Sequence, residues 1–147
     1  MRDSSNPEIR FERVIPAPIE EVFAAWTDPK TMAQWLSLGQ AEVEADVRVN
    51  GGFRLVMVGD GVRIDHQGEY VAIEPPRRLS FTWRSPYTGG VATLVTVTLE
   101  PGDGTTRLVL VHERLPDEAA ESHRHGWGAL LDRLAATLHP GPPEAPR

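Results

Sequence analysis

The segment Pro116–Leu138, PDEAAESHRHGWGALLDRLAATL, decides how the rest of the chain must fold. Its large apolar residues recur three or four positions apart, which is the spacing of one helical face. That stripe consists of Ala120, Trp127, Leu130, Leu131, Leu134 and Leu138. Pro116 marks the start of the helix, and Pro140 predicts its end near His139. At about 1.5 Å per residue, a helix of this length spans about 33 Å and crosses a sheet of six or seven strands.

Upstream of this helix, apolar and polar residues alternate from Ala41 to Arg114. Such alternation is typical of strands that bury one face. It is clearest in Phe53/Leu55/Met57, Leu79/Phe81/Trp83, Val95/Val97/Leu99 and Leu108/Leu110/His112. Turn-forming residues interrupt the pattern at 50–52, 59–61, 75–76, 89–90 and 102–104. The pattern therefore predicts six strands in an antiparallel meander, with one apolar face that the long helix covers.

The segment before Ala41 predicts one strand followed by two short helices. Glu8 to Ile15 is rich in residues that favour strands, and Pro16 ends it. The first helix has an apolar face formed by Ile19, Val22, Phe23 and Trp26. Asp28 followed by Pro29 is typical of an N-cap and a first helical residue, and it opens the second helix. The apolar face of the second helix contains Met32, Trp35 and Leu36.

Composition excludes several classes of protein. The 147 residues contain no cysteine, which excludes disulfide scaffolds, thiolate nucleophiles and sulfur-rich zinc sites. The net charge is −6 and no basic block occurs, so nucleic acids and membranes are not expected partners. The chain contains neither an apolar run of about 20 residues nor a secretory signal. We therefore expect a cytoplasmic protein with one domain over residues 8–139 and flexible tails at 1–7 and 140–147.

Five local motifs occur in an order that points to a known fold. They are PIEEVFAAWTDP at 18–29 followed by Trp35, Gly51-Gly52-Phe53, the run from Gly68 through Pro75-Pro76 to LSFTW at 79–83, GTTRL at 104–108 leading to His112-Glu113, and Gly126-Trp127 before Leu130 and Leu134. In this order they resemble the START-like (SRPBCC) helix-grip superfamily, and most closely the bacterial relatives of the activator of heat-shock-protein-90 ATPase. The resemblance covers about residues 8 to 138.

The resemblance implies an α+β helix-grip fold, in which a six- to seven-stranded antiparallel sheet wraps on a long C-terminal helix and two short helices follow strand 1. It also implies an internal cavity between that helix and the sheet. The function expected is binding of a small hydrophobic or aromatic molecule there. Two alternatives stay open: an enzyme of cyclase, dehydratase or hydrolase type, and a chaperone-associated interaction module. A chaperone or a second copy of the chain is therefore a further partner considered.

Strand parity and aromatic character select the residues expected to line the cavity. His112 shares its strand face with Leu108 and Leu110, and Trp83 shares its face with Leu79. Aromatic side chains supply the large rigid walls that such pockets use. The expected lining residues are Trp35, Phe53, His66, Tyr70, Trp83, His112 and Trp127.

No catalytic residue, metal site or cofactor is expected. The closest histidine pair, His123 and His125, is two positions apart on a helix, so the two rings point in different directions and do not chelate one ion. The serine-nucleophile motif Gly-x-Ser-x-Gly and the phosphate-binding loop Gly-x-x-x-x-Gly-Lys do not occur. The carboxylates Asp65, Glu69 and Glu113 are expected on the outer face of the sheet. Binding is therefore favoured over catalysis, which is left open.

Overall fold

The computed structural model describes residues 8–138, so the tails predicted at 1–7 and 140–147, together with His139, lie outside the described residues. The elements in chain order are β1 (Ile9–Ile15), α1 (Ile19–Thr27), α2 (Pro29–Trp35), β2 (Gln40–Ala45), β3 (Gly52–Gly59), β4 (Val62–Glu74), β5 (Arg78–Trp83), a 3₁₀ helix (Pro86–Thr88), β6 (Thr93–Pro101), β7 (Thr106–Glu113) and α3 (Asp117–Leu138). This order matches the one expected from the pattern of the sequence.

The seven strands form one antiparallel sheet with the order β1-β7-β6-β5-β4-β3-β2. Strands β2 to β7 pair with their neighbours in sequence, as the meander predicts, and the link between β5 and β6 contains the 3₁₀ helix. Strand β1 instead pairs with β7, where Ile9 lies opposite His112 and Ile15 lies opposite Thr106. Because α1 and α2 follow β1 and α3 packs on the sheet, the α+β helix-grip fold is confirmed.

The two short helices begin and pack as the sequence predicts. The Asp28 carboxylate accepts hydrogen bonds from the Lys30 backbone N–H at 3.3 Å and from the Thr31 hydroxyl at 3.0 Å. It therefore caps α2, whose first residue is Pro29. The Trp35 indole N–H donates to the Ala25 carbonyl at 2.8 Å, which ties α2 to α1.

Helix α3 buries one continuous face against the sheet and the short helices. Its buried residues are Ala119, His123, Trp127, Leu130, Leu131 and Leu134. The stripe therefore begins at Ala119 rather than at the predicted Ala120, because positions 119, 123 and 127 lie one above another at a spacing of four. Leu138, near the end of the helix, is half-buried.

Glycine at position 68 permits a close approach that shapes the inner face of the sheet. A Cβ at Gly68 would lie 2.5 Å and 2.6 Å from two ring carbons of Phe53 and would overlap the Thr82 carbonyl oxygen. No side chain larger than hydrogen fits there. The Phe53 ring can therefore lie flat against β4, with its centroid 5.5 Å from that of Tyr70.

Replacing Leu134 by alanine should lower the free energy of unfolding by about 2–5 kcal/mol, since the side chain is fully buried and the helix cannot collapse into the void. Leu138→Ala, on the same face but half-buried, is the matched control and should cost clearly less. Urea unfolding of both variants measures the difference. A loss below about 1 kcal/mol for Leu134→Ala would contradict the packing of α3 on the sheet.

Candidate ligand-binding cleft

A cleft of about 570 Å³ opens between α3, the β3–β4 hairpin and the segment that follows α2. Helix α3 contributes Ser122, His123, Gly126, Trp127 and Leu130 to its lining. The hairpin contributes Met57, Val58, Gly59, Asp60, Val62, Ile64 and His66, and the segment after α2 contributes residues 37–39. The cleft therefore forms where the helix diverges from the tip of a hairpin.

Apolar side chains surround the opening of this cleft. Leu38, Val62 and Tyr87 are each more than half exposed, at 64%, 52% and 55%. All three belong to the cleft lining and come from three different segments of the chain. Large exposed apolar groups that cluster at one place mark a surface for binding rather than for solvation. The rim therefore suits the passage of an apolar molecule.

Aromatic rings form the inner wall of the cleft. The Trp83 and Trp127 rings lie 5.3 Å apart between centroids, and the His66 ring lies 4.8 Å from that of Trp83. All three residues are buried, although they line the cleft. Rigid rings of this kind provide a large contact area at a small cost in conformational entropy. The inner wall of the cleft is therefore aromatic.

A chain of hydrogen bonds holds Trp127 in place from behind. The Trp127 indole N–H donates to His112 Nδ1 at 2.9 Å. The His112 Nε2 then carries the proton and donates to the Thr93 hydroxyl at 2.7 Å, which in turn donates to the Trp83 carbonyl at 2.6 Å. Every polar atom of the imidazole is paired. Burial, with a smaller contribution from nearby His123, lowers the pKa of His112 to about 3, so its ring is neutral at pH 7.

Two further histidines belong to the cleft lining itself. Burial lowers the pKa of His66 to about 4, although its Nδ1 donates to the Ile64 carbonyl at 3.2 Å. Burial also lowers the pKa of His123, whose Nδ1 donates to the Ala119 carbonyl at 2.8 Å. The His123 ring lies perpendicular to that of His112, with centroids 5.2 Å apart. The histidines of the cleft lining are therefore neutral imidazoles.

The structure divides the seven residues selected from the sequence among three places. His66, Trp83 and Trp127 line the cleft. Phe53 and Tyr70, again with Trp83, line a small inner void of about 10 Å³. Trp35 and His112 are fully buried and lie in neither lining. Trp83 belongs to both linings, and the seven residues do not converge on a single cavity.

Sequence reasoning missed several lining residues. Met57 and Ile64 share their strand faces with Leu55 and His66, so alternation carried a signal for both. His123 lies four positions before Trp127, so the two residues share one helical face. That spacing indicated that His123 is buried beside Trp127, whereas its closeness to His125 in sequence carried no such information. The lining of the inner void also includes Trp26, on the apolar face predicted for α1.

Residues 8–138 contain neither a cluster of metal ligands nor a helix that could span a membrane. Within that range, no group of three or more His, Cys, Asp or Glu side chains is arranged to hold a metal ion. None of the helices in the same range combines the length and apolarity needed to cross a lipid bilayer. Asp65 pairs with Arg54 at 2.8 Å on the outer face of the sheet, where the sequence predicts it.

Residues 16–139 match the family described as Activator of Hsp90 ATPase homolog 1-like protein. The chain belongs to this family. The resemblance drawn from the five sequence motifs is therefore confirmed. The fold of this Hsp90-activator-like family is one that often binds hydrophobic ligands.

Solved structures with the same fold cover most of the chain. Protein CV1439 from Chromobacterium violaceum is 30% identical, with a TM-score of 0.80, over 91% of this chain and 99% of that protein. CalU16 from Micromonospora echinospora is 27% identical, with a TM-score of 0.72, over 92% of this chain and 78% of that one. DynU16, a protein of the dynemicin biosynthetic locus, is 31% identical, with a TM-score of 0.73, over 90% of this chain and 47% of that one.

A curated relative in the fission yeast Schizosaccharomyces pombe is the uncharacterized protein C1711.08. It is 30% identical over 101 residues, which is 68% of this chain. The chain spans only about a quarter of that relative, since the match covers 27% of its length.

Lowering the pH should destabilise this domain before its carboxylates protonate. His66 and His112 are held neutral by burial, with pKa values of about 4 and about 3, whereas a histidine in the unfolded chain titrates near 6.5. Below pH 6.5 the unfolded chain binds more protons, so the free energy of unfolding falls as the pH falls. The two groups together predict a slope of about 2.4 kcal/mol per pH unit near pH 5.5.

Urea unfolding at pH 7.5, 6.5, 5.5 and 4.5 measures this slope. Unfolding at pH 5.5 should take up about two protons from His66 and His112, and more to the extent that His123 contributes. An uptake below about one proton would show that these imidazoles are not buried as described.

Proposed function

We propose that the protein binds a small hydrophobic or aromatic molecule in the cleft between α3 and the sheet. The observation that carries this proposal is an open space of about 570 Å³ whose inner wall is formed by Trp83 and Trp127. Sites for small molecules usually have about 300–1,000 Å³ and a largely apolar lining with few polar groups. The apolar rim formed by Leu38, Val62 and Tyr87 supports the same reading.

Glycine at position 126 keeps the helix side of the cleft open. A Cβ built there would meet no atom within 4 Å, although the residue lies inside a helix, where glycine costs about 1 kcal/mol relative to alanine. At Gly128, on another side of the helix, a Cβ would touch the Phe11 ring at 3.6 Å. Gly126 therefore weakens α3 without any packing requirement, and an empty space for a ligand accounts for its presence.

The charges in the cleft favour binding over acid–base catalysis. A general base works best when its pKa is near the operating pH, whereas burial holds that of His66 at about 4. Asp60, at the hairpin tip, is the sole carboxylate in the lining among the described residues, and its side chain is exposed. Both ring nitrogens of His112 already form hydrogen bonds within the protein, so this side chain is not free to act as an acid or a base. The cleft therefore supports binding through shape and aromatic contact.

Native mass spectrometry of the freshly purified protein shows whether a compound is carried through purification. Thermal unfolding with a panel of neutral aromatic compounds then measures binding directly. A ligand that binds only the folded state at a hundredfold excess over Kd should add about 2.7 kcal/mol to the free energy of unfolding. At least one compound in the panel should therefore raise the melting temperature.

Gly126→Leu should abolish that rise, because the new side chain occupies the cleft. It should also leave the unliganded protein as stable or more stable, by up to about 1 kcal/mol, since leucine is the better helix former and its Cβ meets no atom within 4 Å. Gly128→Ala is the matched control: it improves the same helix but adds only an ordinary contact with Phe11, so ligand binding should persist. A Gly126→Leu variant that keeps the full ligand-induced shift would place the binding site elsewhere.

A further inference from the structure

Three buried hydrogen-bond donors find no partner among the described residues: Trp26 Nε1, Tyr70 Oη and Trp83 Nε1. The three residues are 2%, 2% and 4% exposed, so solvent at the surface does not satisfy them. Buried polar groups in folded proteins are nearly always paired, and each exception calls for an explanation. Three exceptions of one kind, all donors on aromatic rings, therefore point to a common cause.

The three donors belong to one place in the fold. Trp26, Tyr70 and Trp83 all line the inner void of about 10 Å³. Their rings surround that of Phe81, with centroid distances of 6.4 Å, 6.4 Å and 6.3 Å respectively. A void of this size is near the lower limit for a single water-sized group. One oxygen atom of a ligand therefore fits in the void that these three residues line.

Other aromatic donors in the same core are paired within the protein. The Trp35 indole donates to the Ala25 carbonyl at 2.8 Å, and the Trp127 indole donates to His112 at 2.9 Å. The fold thus supplies acceptors for indoles that serve packing alone. The unpaired donors are confined to the void, which favours an acceptor that comes from outside the chain.

The chemistry of that acceptor follows from the lining of the void. Indole N–H groups only donate, so the missing partner must accept. The lining consists of aromatic and aliphatic residues, with Met32, Leu36 and Leu55 beside the aromatic rings, and it holds no cationic side chain. An ionised carboxylate or phosphate buried there would have no cation to pair with, and burying its charge would cost much free energy. The acceptor must therefore be uncharged, and a carbonyl oxygen meets this requirement without bringing a further donor into the void.

The void adjoins the cleft through Trp83, which lines both spaces. Its indole is held by ring contacts with His66 and Trp127 at 4.8 Å and 5.3 Å, and by no hydrogen bond at Nε1 within residues 8–138. A shift of this indole joins the two spaces without breaking a polar contact. A molecule in the cleft can thus place one end in the void.

We propose that the ligand of the cleft is an aromatic ketone or quinone, with a carbonyl oxygen received by the Trp26 and Trp83 indoles and the Tyr70 hydroxyl. This inference rests on the proposed function, to which it adds the chemical class of the ligand. The rings of the ligand stack on the aromatic wall, and its carbonyl end enters the void. The donors select oxygenated molecules over hydrocarbons of the same shape.

A pair of compounds that differ only in the carbonyl group tests the selection. The probes are 9-fluorenone and fluorene, which share one ring system, and equilibrium dialysis measures the Kd of each. The parent protein should bind the ketone about tenfold or more tightly than the hydrocarbon, as expected when a site with buried donors receives its acceptor. The carbonyl stretching band of bound fluorenone should also move to lower wavenumber than in a hydrocarbon solvent.

Tyr70→Phe removes one donor and leaves the ring in place. It should weaken fluorenone binding several-fold, up to about tenfold, and leave fluorene binding unchanged. The unliganded variant should be no less stable than the parent, because the hydroxyl has no partner in the described chain. Trp35→Phe is the control: it removes a paired donor, so it should lower the melting temperature while the ratio of the two Kd values stays constant.

The outcomes separate this inference from the proposed function. If both compounds bind equally well and Tyr70→Phe changes neither Kd, the donors do not select the ligand and the inference is overturned, while binding in the cleft stands. If neither compound binds and Gly126→Leu alters no ligand-induced shift, the proposed function itself is overturned. A preference for fluorenone that Tyr70→Phe reduces supports both.

Discussion

The hydrogen-bonded chain from Trp127 through His112 and Thr93 to the Trp83 carbonyl is the interaction on which the binding region depends. It joins α3 to three neighbouring strands, and it works only when His112 is neutral with the proton on Nε2. Burial enforces that state by lowering the pKa of His112 to about 3. The position of the Trp127 indole, and with it one wall of the cleft, follows from this arrangement.

The buried aromatic residues near this chain of hydrogen bonds fall into two groups: those whose N–H or O–H donor has an acceptor in the protein, and those whose donor has none among the described residues. Trp35 and Trp127 each have an acceptor in the chain, and both hold helices in place. Trp26, Tyr70 and Trp83 have none in the described residues, and they surround a void. Unpaired buried donors reduce stability, and so does glycine at position 126 within a helix. Features that lower stability in this way are typical of binding sites, because residues that contact a ligand are not optimised for the stability of the folded state alone.

Membership of the Hsp90-activator-like family accounts for the scaffold rather than for the site. Relatives such as CV1439 share the sheet and helices at a TM-score of 0.80 with 30% identity, so much of the sequence can change while the fold persists. One fold hosts many functions, and the function is decided by the residues that line its cavities. In this chain those residues are neutral imidazoles, indoles and apolar side chains, together with the open position at Gly126.

The sequence by itself determined the elements and their faces: the apolar spacing of α3, the alternation in β3 to β7 and the Asp28 cap each correspond to observed structure. Parity also placed Phe53, Trp83 and His112 on the inner face of the sheet, and all three are buried. Only the tertiary structure decided that Trp83 and His123 line the cleft and that His112 lies behind Trp127. Periodicity specifies which side of an element is buried, because it is a local property of the backbone. Whether a buried side chain also lines the cleft depends on how α3 packs against strands that are far away in sequence. A local sequence pattern carries no information about such packing.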